Sequence, residues 1–418
     1  MLLSTDAHVR IIDRPCGFGK TTQLLRSFQP DRRYLVVVPL LTEVDRVINE
    51  ACVPFHEPQV DSGVGTKADS LEMLLKRGVN IVTTHQLYRD IVFLAKAGLL
   101  DGYDIYVDEV PEVLSSYGEV KPESLREFYL GRGYAIISPE GQLIPTEKWH
   151  QDHELVSDTL KENLYRLAAS GMLYVVDDTF LIWAYPQELL RAGRSFTVMT
   201  YQARGSLLLP YLDRCGIPYV HDVDPVADLR ARQDAARLIE LRGMPRLKKL
   251  KLSYSGQTRA KAEERELVSR ALLGLRRGDL RDVPLESVLI TCAKDNWYAG
   301  GKGPKDVAVP KQGPYAKGSK LFEGVSWIPN TTRGTNDYAH ASHLIYLYDQ
   351  YPNPAFLRFL GLPNVTEAQD RYALAELLQV IYRTRVRKAE PVVVYLPSDR
   401  MRRLLDDHLE RHTLNMVA

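Results

Sequence analysis

The feature that most limits what this chain can fold into lies near its start. An apolar run, Val9-Arg10-Ile11-Ile12-Asp13, is followed at once by Arg14-Pro15-Cys16-Gly17-Phe18-Gly19-Lys20-Thr21-Thr22. The run has the character of a short buried strand, and beyond the loop Leu24, Leu25 and Phe28 begin a helical pattern. Strand, glycine loop and helix in that order make a cradle for phosphate. Gly17 and Gly19 let the backbone curl so that its N–H groups point inward, and the helix adds its positive N-terminal end. Lys20 would reach the β- and γ-phosphates, and Thr21 would place its hydroxyl on Mg²⁺. Gly17, Phe18, Gly19, Lys20, Thr21 and Thr22 are therefore the expected nucleotide-contacting set, with Mg²⁺-bound ATP as cofactor. The match is to the short GxGKT form, because Arg14 stands where the full GxxxxGK[ST] pattern has its first glycine. A glycine-containing turn before a surface helix is the plain alternative, and the strand–loop–helix context weighs against it.

A second motif lies about one nucleotide-binding domain's length downstream. Asp104-Ile105-Tyr106-Val107-Asp108-Glu109 alternates into a buried strand that stops at two acids, and Val110-Pro111 breaks the extended run. In an open parallel sheet the carboxyl ends of the strands are where ligands bind. Asp108 would hold Mg²⁺ through its water shell, and Glu109 would orient and deprotonate an attacking water. Alone, an apolar strand ending in Asp-Glu is as often a solvated turn. Paired with the phosphate loop it reads as a nucleoside triphosphatase.

The bulk numbers set the frame. At 418 residues two domains are the natural expectation, and 45% hydrophobic with 26% charged residues is the composition of a soluble globular protein. A net charge of +1 advertises no polyanion partner, so any nucleic-acid contact must come from a local groove. Cys16, Cys52, Cys215 and Cys292 have neither metal-ligand nor disulfide-framework spacing, which points to a reducing cytoplasm. No signal pattern opens the chain and no apolar stretch approaches the roughly 18 residues of a membrane span, so no membrane partner is expected.

Further segments carry a family resemblance. Tyr34-Leu35-Val36-Val37-Val38-Pro39 with Thr42-Glu43, and Asn80-Ile81-Val82-Thr83-Thr84-His85-Gln86, resemble motifs Ia and Ib/Ic of superfamily 2, DEAD-like helicases. Phe196-Thr197-Val198-Met199-Thr200-Tyr201-Gln202-Ala203 is similar to a strand ending in motif III. Leu289-Ile290-Thr291 looks like motif IV, Thr331 to Asn336 like motif V, and Gln379 to Arg387 like motif VI. The series spans nearly the whole chain and most resembles the compact helicases encoded by bacteriophages.

That resemblance implies an α/β fold of two RecA-like lobes with mainly parallel sheets. Lobe 1 would occupy residues 1–215, with a small insertion at about 118–190, and lobe 2 residues 216–418. It implies an ATP-dependent translocase or helicase with Pro39, Thr42, Thr83, Thr84, His85, Thr291 and Thr335 on a single- or double-stranded track, DNA being favoured over RNA. Replication or phage proteins are the expected partners, in the host cytoplasm if the chain is phage-encoded. Arg383 and Arg387, four apart, would share one face of a helix beginning near Thr366 with Gln379 and complete the nucleotide site, because guanidinium groups stabilise charge spread over a transferring phosphoryl group.

Other stretches are more open. Arg246 to Leu252 alternates like a half-exposed strand, and the loop from Gly300 to Lys320 is rich in glycine and lysine, with Tyr315 or Trp297 available to stack on a base. The insertion carries Trp149, His150, His153 and Trp183, and could touch or split nucleic acid. Two other readings stay open: a phage packaging-type ATPase, and a nucleic-acid-binding scaffold with a non-catalytic nucleotide site.

Overall fold

The computed structural model describes residues 7–60, 65–152, 162–178, 180–331 and 337–410. Thr335 and the rest of the 332–336 stretch, and His153, lie outside them. The chain forms two compact units. One comprises Met1–Asp13, Gly19–Asp222 and Asn353–Val365; the other Arg14–Phe18, Val223–Pro352 and Thr366–Ala418.

The first unit opens with β1 (Val9–Asp13), β2 (Arg33–Val38), β3 (Ile81–Thr84) and β4 (Tyr103–Asp108). An excursion follows, with β5 (Leu114–Ser116), β6 (Ala135–Ile137), β7 (Leu143–Pro145), β8 (Leu173–Val176) and β9 (Phe180–Ala184), before the chain returns through β10 (Ser195–Thr200) and β11 (Tyr219–Val223). The main sheet has the order β11-β1-β10-β4-β2-β3. The pairings of β1, β10, β4, β2 and β3 are all parallel. Such strands are covered on both faces and read as nearly unbroken apolar runs: Leu35, Val36 and Val38 are fully buried, as are Ile105 and Val107. The far end of β4 is pinned by Asp104, whose carboxylate accepts from Arg194 Nε at 2.9 Å and Ser195 Oγ at 2.8 Å.

The excursion forms the antiparallel sheet β5-β9-β8 and the hairpin β6-β7. Its tryptophans are core residues: Trp149 is 0% exposed and Trp183 5%. Neither is a surface for stacking bases. The helix Pro354–Phe359 packs on this layer, with Phe359 edge-on to Tyr174 at 5.0 Å and Arg214 over its ring.

The second unit is built on β12 (Ile239–Gly243), β13 (Val288–Thr291), β14 (Ser326–Trp327), β15 (His343–Tyr346) and β16 (Val392–Leu396), in the order β12-β16-β15-β13-β14. All its pairings are parallel. Three expectations fail here. Residues 246–252 are not a strand: Pro245 starts a 3₁₀ turn through Leu247, and the strand is the preceding Ile239–Gly243. A proline fixes φ and has no N–H for a ladder, which ends the extended run. Trp297 and Tyr315 are 0% and 1% exposed, packed in the core with Leu321 and Tyr298, so neither can stack on a base. The glycine- and lysine-rich loop is tied down, Asp306 accepting from Lys294 at 2.7 Å and from the Gly303 N–H at 2.8 Å.

The third correction concerns the arginines. The helix runs Val365–Ile381 and stops before Arg383, and Arg385–Lys388 is a separate 3₁₀ turn. Thr384 Oγ1 donates to the Ile381 carbonyl at 2.6 Å, occupying an acceptor the next helical turn would use. Arg383 is buried and donates to Gln379 Oε1 at 3.4 Å, whereas Arg387 is exposed. The two do not share a helix face.

Candidate nucleotide site on the first sheet

Parallel register brings the candidate residues of the first unit to one edge. Asp13 pairs with Thr200, Met199 with Asp108, and Val38 with Thr84, so the carboxyl ends of five strands lie side by side. Sequence stretches some 190 residues apart meet there because each strand ends where its apolar run ends.

Gly17 and Gly19 have φ of +79° and +80°, the left-handed conformation that glycine adopts without a Cβ penalty. A Cβ at Gly19 would meet no atom within 4 Å, so the space above it is open. The helix Lys20–Ser27 begins with Gly19 as N-cap, which offers no side-chain acceptor, and its first turn holds no acid. Its leading N–H groups and positive dipole end are thus presented as an anion cradle. Thr21 Oγ1 donates to Asp108 Oδ2 at 2.9 Å, uniting the two motifs. Thr22 instead accepts from Arg46 at 3.0 Å, and Arg46 also bonds Glu43 and Glu50, so Thr22 is tied to the helix Leu41–Glu50.

The Asp108 carboxyl is pushed up to about 6 by burial and then by the neighbouring Glu109, against the lowering pull of the Thr21 hydroxyl and Lys20. Gathering two carboxylates at a half-buried strand end carries a cost. Glu109 sits at φ +66°, a left-handed conformation that costs a non-glycine residue roughly 1–2 kcal/mol. The sharp turn lifts Glu109 off the strand direction.

Two residues that motif reading did not single out complete this edge. Asp13 accepts from the Gln202 and Ala203 N–H groups, both at 2.9 Å, and lies 3.0 Å from His221 Nε2. It thereby fastens the turn after β10, where Gln202 is left-handed, to the strand that feeds the phosphate loop. Glu43 adds negative charge near Asp108. An acid at the end of a buried strand was the available signal for Asp13.

Of the expected strand-contacting residues, Pro39 and Thr84 are half-buried at the ends of β2 and β3, and Thr42 is exposed. Thr84 caps the helix His85–Arg89, accepting from the Leu87 N–H. His85 bonds the Asp108 carbonyl at 2.8 Å through Nε2. Thr83 and Thr291 are 2% and 0% exposed, so their hydroxyls are withdrawn from any polymer track: parallel strands covered on both faces bury successive side chains, and theirs are buried.

Within the second unit, Pro15–Phe18 and the helix Pro225–Leu238 line a cavity of about 320 Å³ that also takes in Arg230 and Asp234. Gly17 lies beside Arg387, whose Cγ and carbonyl oxygen would be 3.9 Å from a Cβ added there. Among the described residues no helix is long and apolar enough to cross a membrane, and no group of three or more His, Cys, Asp or Glu side chains is placed to hold a metal.

Comparison with known proteins agrees with this architecture. Residues 234–409 match the family model of the YonV C-terminal Rossmann-like domain. The chain is 26% identical to the SPbeta prophage-derived uncharacterized protein YonV of Bacillus subtilis (strain 168), covering 96% of this chain and 98% of that protein. An apo XPD structure superposes with a TM-score of 0.54 at 16% identity, covering 97% of this chain and 95% of its own. Xpd4 of S. tokodaii gives 0.51 at 13% identity, covering 96% and 94%. The chain therefore has the fold of these XPD structures, two RecA-like lobes of mainly parallel sheet, and it is similar over nearly its full length to a prophage-derived protein.

Proposed function

We propose that this protein is a nucleic-acid-stimulated ATPase of the superfamily 2 helicase kind, in which hydrolysis drives movement along a strand. The observation that carries the reading is the 2.9 Å contact between Thr21 Oγ1 and Asp108 Oδ2 at the carboxyl edge of a parallel sheet. Two motifs far apart in sequence meet there, which supports a site for a magnesium–triphosphate complex.

The residues fit Mg²⁺. A hydroxyl and a carboxylate at hydrogen-bond distance are hard oxygen donors, with the Glu109 carboxylate beside them. Few protein ligands are expected, because Mg²⁺ in such sites keeps its waters and takes phosphate oxygens. When bound, the cation supplies neutralisation of charge on the phosphates. Everything else falls to side chains and backbone. Gly17 to Thr22 hold the phosphates through N–H groups, Lys20 adds a positive charge, and Glu109 accepts the proton of the attacking water. Arg387 is exposed and lies beside Gly17 of the phosphate loop, which makes it the better candidate for the functional arginine of the last motif; Arg383 is buried and bonded to Gln379.

On this reading the unit built on β1–β11 is the ATP-binding lobe, and the unit built on β12–β16 is the second RecA-like lobe. Pro39, Thr42 and Thr84, which keep solvent contact, would meet a sugar-phosphate backbone, and such contacts position a strand without reading its sequence. DNA and RNA are equal candidates as track. Similarity to a prophage-derived protein supports a role in phage nucleic-acid metabolism.

Glu109→Gln separates binding from chemistry. The variant should bind Mg-ATP within about threefold of wild type and lose turnover by a factor of ~10²–10⁴, the usual contribution of a general base. Unchanged turnover in Glu109→Gln would remove Glu109 from the chemistry.

A further inference from the structure

The peptide joining Asp108 to Glu109 is held at both of its polar atoms. Its carbonyl oxygen bonds His85 Nε2 at 2.8 Å, and its N–H, on Glu109, donates to the Met199 carbonyl at 2.9 Å. In a trans peptide these groups point to opposite sides, so one hold comes from the end of β3 and the other from β10. A carbonyl can only accept, so the imidazole carries a proton on Nε2. Holding this plane fixes the N–Cα axis about which the φ of Glu109, +66°, is measured. A non-glycine residue stays there only where its surroundings over-determine it.

β2 lies between β3 and β4, so this bond joins the ends of two strands that are not neighbours in the sheet. His85 is also the first residue of the short helix that Thr84 caps, on the segment assigned above to strand contact. One side chain thus belongs to the polymer side and bonds the peptide that aims the carboxylate.

We propose that His85 is a positioning residue that passes the state of the Thr84–Arg89 segment to Glu109 through the Asp108–Glu109 peptide. The proposal rests on the reading of Glu109 as base and of this segment as polymer contact. A strand seated on the segment fixes His85, the hydrogen bond fixes the peptide plane, and the Glu109 carboxylate is held on the water it must deprotonate. Losing the bond relaxes the left-handed turn and scatters the carboxylate. Misplacement of a catalytic group by about 1 Å can cost on the order of 100-fold in rate.

The test uses the full chain with His85→Leu, which removes the donor, and His85→Gln, whose amide N–H takes the place of Nε2. Steady-state ATP hydrolysis is titrated separately with ATP and with polynucleotide, and melting curves confirm that both variants fold. His85→Leu should lower kcat at saturating polymer by about tenfold or more, while the KM for ATP and the half-saturating polymer concentration stay within about twofold. His85→Gln should recover kcat to within about threefold. A raised half-saturating polymer concentration with unchanged kcat would make His85 a direct contact and overturn the proposal. So would a Gln variant as slow as the Leu variant, which would indicate packing alone. An independent arm needs no turnover: ¹⁵N NMR of the wild-type imidazole should report the Nε2–H tautomer at pH 8, and an Nδ1–H tautomer overturns the proposal by itself. Absence of any wild-type ATP turnover overturns the functional reading, and with it the role of Glu109, while leaving the tautomer measurement to decide the hydrogen bond.

Discussion

Replacing Asp108 with Asn should make the nucleotide-free protein more stable while destroying its turnover. Burial, reinforced by Glu109, raises the Asp108 carboxyl from an ordinary 3.8 to about 6. A shift of about 2 units corresponds to about 3 kcal/mol. The folded-state value lies above the unfolded one, so the folded protein favours the protonated acid. This stabilisation is complete below about pH 4 and is lost as pH rises through about 6. At pH 7.5 the ionised group therefore opposes folding by up to about 3 kcal/mol. Asp108 keeps some contact with solvent, which screens the charge and brings the expected effect to about 1–2 kcal/mol. Asn is neutral, has nearly the same shape, and still offers Thr21 an acceptor. For a unit of this size each kcal/mol moves the melting temperature by roughly 2–4 °C. Thermal unfolding of the nucleotide-free Asp108→Asn protein should thus occur about 2–8 °C above wild type at pH 7.5, with the gain fading toward pH 4.5. A variant that melts below wild type at pH 7.5, or a gain equal at both pH values, would refute the electrostatic reasoning.

The two arginines of the last motif should separate by experiment. Arg387→Ala removes an exposed side chain, so chemical denaturation should place its stability within about 0.5 kcal/mol of wild type, while ATP turnover falls by ~10-fold or more. Arg383→Ala removes a buried cation bonded to Gln379 and should lower stability by about 2–4 kcal/mol, visible as an earlier urea midpoint. Equal stabilities for the two variants would contradict the burial difference.

Much of this architecture could be read from residues alone because the central strands of a parallel sheet are buried on both faces. Runs such as Leu35 to Val38 or Ile105 to Val107 need no tertiary information to be recognised. Val9–Asp13 and the Asp108 strand end were legible in the same way, and the joining of Thr21 to Asp108 follows once both lie at the carboxyl edge. What was not legible depended on where a periodic pattern stops. Gln379, Arg383 and Arg387 keep helical spacing in sequence, but the helix ends at Ile381, where Thr384 takes over a carbonyl. Trp297 and Tyr315 looked like stacking platforms because composition does not distinguish a buried aromatic from an exposed one. The His85–Asp108 bond was invisible because it depends on the strand order, which sets β2 between the two residues.

The most direct test of the central claim is steady-state ATP hydrolysis by wild type and Lys20→Ala, each without polymer and with single-stranded DNA, single-stranded RNA or duplex. A strand-driven motor gives strong stimulation of the wild type by at least one polymer, lost in Lys20→Ala, and the stimulating polymer names the track. Turnover indifferent to every polymer, or equal in the two proteins, would contradict it.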